Sequence, residues 1–183
     1  MSFIFFILFF SLLNSQTNYC PTGDSITQRS IYDIGDTLSI EDQNRLFPVC
    51  NGSGDYSTGD FFSFSDLNGH TNGGEYKVTV ISMNATWWPA CYEYISLMDE
   101  LIEVTEEHDE LQFFVSLDYS SNDNELYSCT EWADLYDELG EYGNNPLILD
   151  TDPDHYIWNM FAASTYSAYA FIDHNMVLKY KFD

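Results

Sequence analysis

The stretch that most constrains the fold is residues 77–91, which read K-V-T-V-I-S-M-N-A-T-W-W-P-A-C. Its first half belongs to a β-branched, mostly apolar run, 76–83, of strand length. Pro89 follows, and suits the first turn of a helix because its fixed φ fits and its missing N–H is not needed there. Helical periodicity then takes over, with Cys91, Tyr94, Ile95, Met98, Leu101, Ile102 and Thr105 on one face. A buried strand therefore runs through a tight turn into a long helix that carries a thiol at its start. The positive end of the helix dipole favours thiolate there. The same helix carries Glu93, Asp99, Glu100, Glu103, Glu106 and Glu107 and no Lys or Arg, a field that opposes ionisation.

The rest of the chain alternates in the same way. Residues 47–50 read as a short edge strand, because Pro48 cannot donate to a ladder on both sides. Residues 51–60 are rich in Gly, Ser and Asp and read as an exposed loop. Residues 61–64 are a strand candidate, and Asn72-Gly73-Gly74 is a turn. A buried strand is expected at 111–117, followed by a polar, acidic loop at 118–127. Ser128 is a good N-cap, and Glu131 three residues later completes a capping box for a helix to about 139, ended by Gly140 and Gly143. A short strand at 146–150, a helix from 152–154 to about 162, and strands at 167–172 and 176–182 complete the chain. Asp173-His174-Asn175 turns between the last two. The core order is β-α-β-α-β-α-β-β, which implies parallel pairing through right-handed crossovers and a terminal antiparallel hairpin.

In motif and element order, residues 59–183 resemble the redoxin branch of the thioredoxin-like superfamily, the TlpA/ResA-type and AhpC/TSA-type proteins. Those proteins carry a strand, then A-T-W-C-x-x-C, then a helix. Ala85, Thr86, Trp87, Pro89, Ala90 and Cys91 fall in place. Ile34-Gly35-Asp36 and Asp66-Leu67-Asn68-Gly69 are similar to the family's V-G-D and D-L-N-G segments. The resemblance implies an α/β, thioredoxin-like three-layer fold around a central mixed sheet, here without the family's C-terminal helix. It implies no cofactor, and thiol–disulfide chemistry on protein thiols, disulfides or a small redox partner. It makes Cys91 the resolving cysteine and puts Trp88 in the nucleophile slot. Trp87, Pro89 and Ser167 then form the substrate loop. Ser167 stands where the family has a cis-proline. A cis bond before a non-proline residue costs on the order of 3 kcal/mol, so a trans peptide is expected there.

Disulfide exchange needs an accessible thiolate and a second thiol to resolve the mixed disulfide. Cys91 lies on the apolar helix face and is expected to be poorly exposed. Cys129, at the start of the next helix, is its possible partner; the alternative is two separate thiols. No P-x-x-x-T-x-x-C run is present, which argues against a peroxidase. The alternating carboxylates of Asp150, Asp152 and Asp154 read as a turn and helix cap rather than a calcium loop. His70, His108, His155 and His174 show no zinc-type spacing with the cysteines, so no metal is expected.

The 30 acidic against 5 basic residues, a net charge of −25, argue against nucleic-acid partners and against adhesion to anionic membranes. Residues 1–13 are apolar apart from two serines and give way at once to polar residues. Residues 1–15 therefore read as a signal peptide, with a membrane anchor as the alternative, and the protein is expected to be secreted or periplasmic. Export places the four cysteines in an oxidising compartment. The grouping of cysteines suggests Cys20–Cys50 within an N-terminal extension, 16–58, ahead of the redoxin domain at 59–183. Three functional readings follow: an exported redoxin impaired at residue 88, a catalytically silent binding module on the same fold, or a secreted structural domain. A selenocysteine at 88, misread as tryptophan from UGA, is a variant of the first.

Overall fold

A computed structural model of the chain describes residues 31–118, 127–151, 154–162 and 165–182. The expected signal peptide, Cys20 and Asp152 lie outside the described residues. The chain first forms α1 (Ile40–Gln43), β1 (Phe47–Asn51), β2 (Phe61–Phe62), a 3-10 turn (Phe64–Leu67) and α2 (Gly69–Asn72). The motif region forms β3 (Val78–Ala85), α3 (Pro89–Glu93) and α4 (Ile95–Glu106). Next come β4 (Leu111–Asp118), α5 (Cys129–Leu139), β5 (Ile148–Asp150) and α6 (Tyr156–Phe161). The chain closes with β6 (Ala168–Ile172) and β7 (Leu178–Phe182).

The strands make one sheet in the order β2-β1-β5-β4-β3-β6-β7. β3, β4 and β5 run parallel, and every other pairing is antiparallel. The alternation of a strand sorts its side chains into two layers. Phe113, Val115 and Leu117 of β4 face α4 and α5, in a core with Ile95, Met98, Ile102, Trp132 and Tyr136. Phe114 faces the other way and joins Ile81, Met83, Ile157, Phe161 and Met176. A mixed sheet with apolar layers on both faces is the expected three-layer, thioredoxin-like arrangement, and its β-α-β-α-β-α-β-β order runs from β3 to β7.

Two local signals hold as read. Ser128 accepts a hydrogen bond from the Glu131 backbone N–H, and Glu131 reaches back to the Ser128 N–H. The chain after α5 needs Gly140 for space: a Cβ there would stand 2.4 Å from the Asp99 carboxyl. Asp99 is buried on α4 and accepts the backbone N–H groups of Tyr142, Gly143 and Asn144 at 2.7, 3.3 and 2.8 Å. That carboxylate therefore ties the loop after α5 to α4.

Other expectations are corrected. The long motif helix is interrupted at Tyr94, whose φ and ψ are −92° and 0°, although Tyr94 N–H to Ala90 and Met98 N–H to Tyr94 bonds carry the ladder across. Tyr94 turns outward and is 47% exposed, while Cys91, Ile95, Met98, Ile102 and Thr105 are buried. β1 is not an edge strand: it lies between β5 and the two-residue β2, which covers Pro48 by pairing it with Phe61. The segment expected as an N-terminal extension contributes Tyr32, Leu38, Phe47 and Val49 to the same core. The strand expected at 61–64 ends at Phe62, and the helix expected from 152–154 starts at Tyr156.

The disulfide is corrected as well. Cys50 is bonded to Cys129, not to Cys20, and Cys91 is not paired with Cys129. The reason is topological: insertion of β1 beside β5 brings Cys50 under the start of α5, with a Cα–Cα distance of 6.1 Å, within bridging range. The peptide before Ser167 is cis rather than trans. Contacts on both sides fix this loop: Tyr166 stacks on Trp158, and Ser167 donates to Tyr169.

Candidate functional site

The C-terminal ends of β3 and β4 lie side by side, with Ala85 opposite Asp118, and the motif turn leaves from there. This is the edge of a parallel sheet where ligands and reacting groups gather. Trp88 takes the N-cap position of α3 and Pro89 its first turn. The Trp88 N–H donates to the Ala85 carbonyl at 3.0 Å, and the Cys91 N–H donates to the Trp88 carbonyl at 3.0 Å. The turn is thus closed by backbone bonds that do not depend on the side chain at 88. That side chain points outward and is 43% exposed.

Cys91 faces the other way. Its residue is 1% exposed, and Sγ accepts the Ala85 N–H at 3.3 Å. Burial pushes the thiol up to about 11, with the Asp118 charge adding to the rise and the Ala85 N–H and Ser167 hydroxyl opposing it. Such a sulfur is protonated at neutral pH and out of reach of a partner. Cys129 is no free thiol either, since it is held by Cys50. Cys91 is the one free cysteine among the described residues. The structure therefore brings Trp87, Trp88, Pro89, Cys91 and Ser167 to one place and sends Cys50 and Cys129 to the β1–α5 contact.

Several residues around the turn were not marked by the sequence. Asp118 is fully buried and accepts hydrogen bonds from Thr151 Oγ1 at 2.7 Å and Tyr166 OH at 2.5 Å. His155 Nδ1 stands 3.2 Å from the same carboxylate. His155 has φ +50°, a left-handed conformation that a non-glycine residue adopts only when its surroundings hold it. Trp87 rests edge-on against both Tyr166 and His155, at centroid distances of 5.8 and 6.5 Å. Asn84 accepts the Ser167 hydroxyl at 3.3 Å, joining the motif strand to the loop before β6. The available signal was the place of Asp118, a carboxylate at the end of an apolar run; nothing local marked His155 or Tyr166.

Two open cavities flank the turn. One, of about 250 Å³, is lined by Thr86, Trp87, Trp88, Pro89, Tyr92, Glu93 and Tyr127. The other, of about 420 Å³, lies between α4 and the β6–β7 hairpin and is mostly apolar, with Leu97, Tyr169, Phe171 and Phe182 in its wall. Among the described residues, no three His, Cys, Asp or Glu side chains gather as a metal site, and no helix is long and apolar enough to cross a membrane.

No protein-family model matches the chain, and no curated protein matches it. Its structure is similar to that of MTB dsbF in mixed oxidised and reduced forms, at 19% identity and a TM-score of 0.52, over 80% of this chain and 87% of that one. It is similar to a secreted Mycobacterium tuberculosis disulfide oxidoreductase homologous to E. coli DsbE, at 16% identity and a TM-score of 0.51, over 76% and 84%. A thioredoxin-type solution structure from Neisseria meningitidis matches at 16% identity and a TM-score of 0.52, over 82% and 80%. At these identities the likeness is one of fold.

Proposed function

We propose, taking the thioredoxin-like fold as premise, that this is an exported redoxin of the thiol–disulfide oxidoreductase type whose motif turn is silent as written. A disulfide oxidoreductase that shares its fold supports the reaction class, and that protein is secreted. Residues 1–15 act as the signal peptide, and the partners are protein thiols and disulfides. The observation that carries the reading is the contrast at the turn. The exposed position that an attacking sulfur would need is filled by Trp88, and the only described free thiol, Cys91, is buried three residues further on. An indole cannot attack a disulfide, and Cys91 alone can only resolve a mixed disulfide formed by a neighbour.

Turnover of insulin disulfides by the unmodified protein and by Trp88→Cys tests this. The unmodified protein is expected to show no reduction above the uncatalysed rate, and Trp88→Cys to gain it. Equal inactivity of both proteins would instead support a silent binding module that uses the two cavities. A selenocysteine at 88 is a second reading, favoured by a turn whose backbone closes without regard to the side chain there. A UGG codon at that position excludes it.

A further inference from the structure

Three observations meet at the start of α5. Cys129 opens this 11-residue helix and is bonded to Cys50. Both cysteines are only partly buried, unlike Cys91. Two residues before Cys129, Tyr127 stacks on Tyr92 of α3, with centroids 6.4 Å apart and planes at 23°. Tyr127 also forms a wall of the 250 Å³ cavity that Trp88 lines. The described disulfide therefore stands two residues along the chain from an aromatic cavity belonging to the motif turn.

We propose that Cys50–Cys129 is a redox-active pair that oxidises dithiol peptides, and that the aromatic cavity walled by Tyr127 docks an aromatic side chain of the same peptide. This rests on the redoxin reading and moves its chemistry off the motif turn. A partner thiolate attacks Cys50 Sγ. The Cys50–Cys129 bond breaks, a partner–Cys50 bond forms, and Cys129 leaves as a thiolate at a helix N-terminus, where negative charge is favoured. The partner's second thiolate then attacks its own sulfur in the mixed disulfide and expels Cys50 as a thiolate. Two electrons have passed from the partner dithiol to the protein, the partner carries the new disulfide, and solvent protons complete the two thiols. A low-molecular-weight disulfide such as glutathione disulfide restores the pair. The excess of 30 acidic over 5 basic side chains favours a basic peptide.

The test mixes the full-length oxidised protein, without other reductant, with an equimolar synthetic peptide carrying two cysteines, a tryptophan and two lysines. Mass spectrometry follows loss of two hydrogens from the peptide, and differential alkylation maps which protein cysteines become thiols. The expected result is peptide oxidation matched by new thiols at Cys50 and Cys129, with the far-UV circular dichroism unchanged. Tyr127→Ala, which keeps the disulfide, should slow the reaction about fivefold for the tryptophan peptide, the worth of one aromatic contact, and leave a glycine-substituted peptide unaffected. If the peptide leaves the bond intact while the native spectrum persists, the bond is a structural cross-link and the inference is wrong. That failure is separate from the redoxin reading, which the Trp88→Cys protein decides independently.

Discussion

Replacing Cys91 by alanine should change the pH dependence of stability in a calculable way. Burial raises this thiol from an ordinary value near 9 to about 11 in the folded protein. Below pH 9 both the folded and unfolded chains keep the proton, and Cys91 contributes no pH dependence. Between pH 9 and 11 the unfolded thiol ionises while the folded one does not, so the unfolded state binds fewer protons and stability falls as pH rises. The complete loss is ~3 kcal/mol, and about half of it is reached at pH 10. Urea unfolding of the wild type and of Cys91→Ala at pH 8 and pH 10 reads this contribution, because the two proteins differ in composition only at the thiol. At pH 8 the variant should be less stable by ~1–2 kcal/mol for its lost packing. At pH 10 that gap should close by about 1.4 kcal/mol. A gap that stays constant with pH, or rapid alkylation of native Cys91 at pH 7.5, would refute the view that this sulfur is buried and protonated.

Asp99→Asn should lower stability by about 2–3 kcal/mol, read as a drop in the urea midpoint, because three backbone N–H groups lose a charged acceptor. Gly140→Ala should cost about 1–3 kcal/mol in the same assay, since its Cβ meets the Asp99 carboxyl and the Tyr136 carbonyl; a neutral result would mean that the loop relaxes freely. Ser128→Ala removes the side-chain half of the α5 capping box and should cost about 1 kcal/mol, measured by thermal unfolding of oxidised protein.

What the sequence made legible is what depends on neighbours in the chain. The switch from the apolar run of β3 to helical spacing at Cys91, the Ser128–Glu131 cap and the Asp173–Asn175 turn each involve residues a few positions apart. The disulfide was misread because it depends on where β1 is inserted. Cys50 and Cys129 are 79 residues apart, and only the pairing of β1 with β5 brings them together. Pro48 gave a sound reason for an exposed edge, but two residues of β2 were enough to cover it. Around the turn, Trp87, Trp88 and Cys91 were readable from the motif. Asp118 and His155 were not, because a carboxylate after a strand looks like a loop residue until the fold buries it. Ser167 was placed in the right loop, but its peptide geometry is set by Tyr166, Trp158 and Tyr169, which local sequence does not weigh.

The two ends of α5 are fastened by different chemistry. Its first residue is held covalently to β1, and the glycine that follows it closes against the carboxylate of Asp99, which also grips the next loop. Thiol reagents act on the first fastening and leave the second intact, whereas Asp99→Asn, which removes the charged acceptor, acts on the second and leaves the first. The helix therefore behaves as a lever with two independent latches. Opening one converts the other into its pivot, so that neither reduction nor the loss of the Asp99 charge alone should set the helix loose from the sheet.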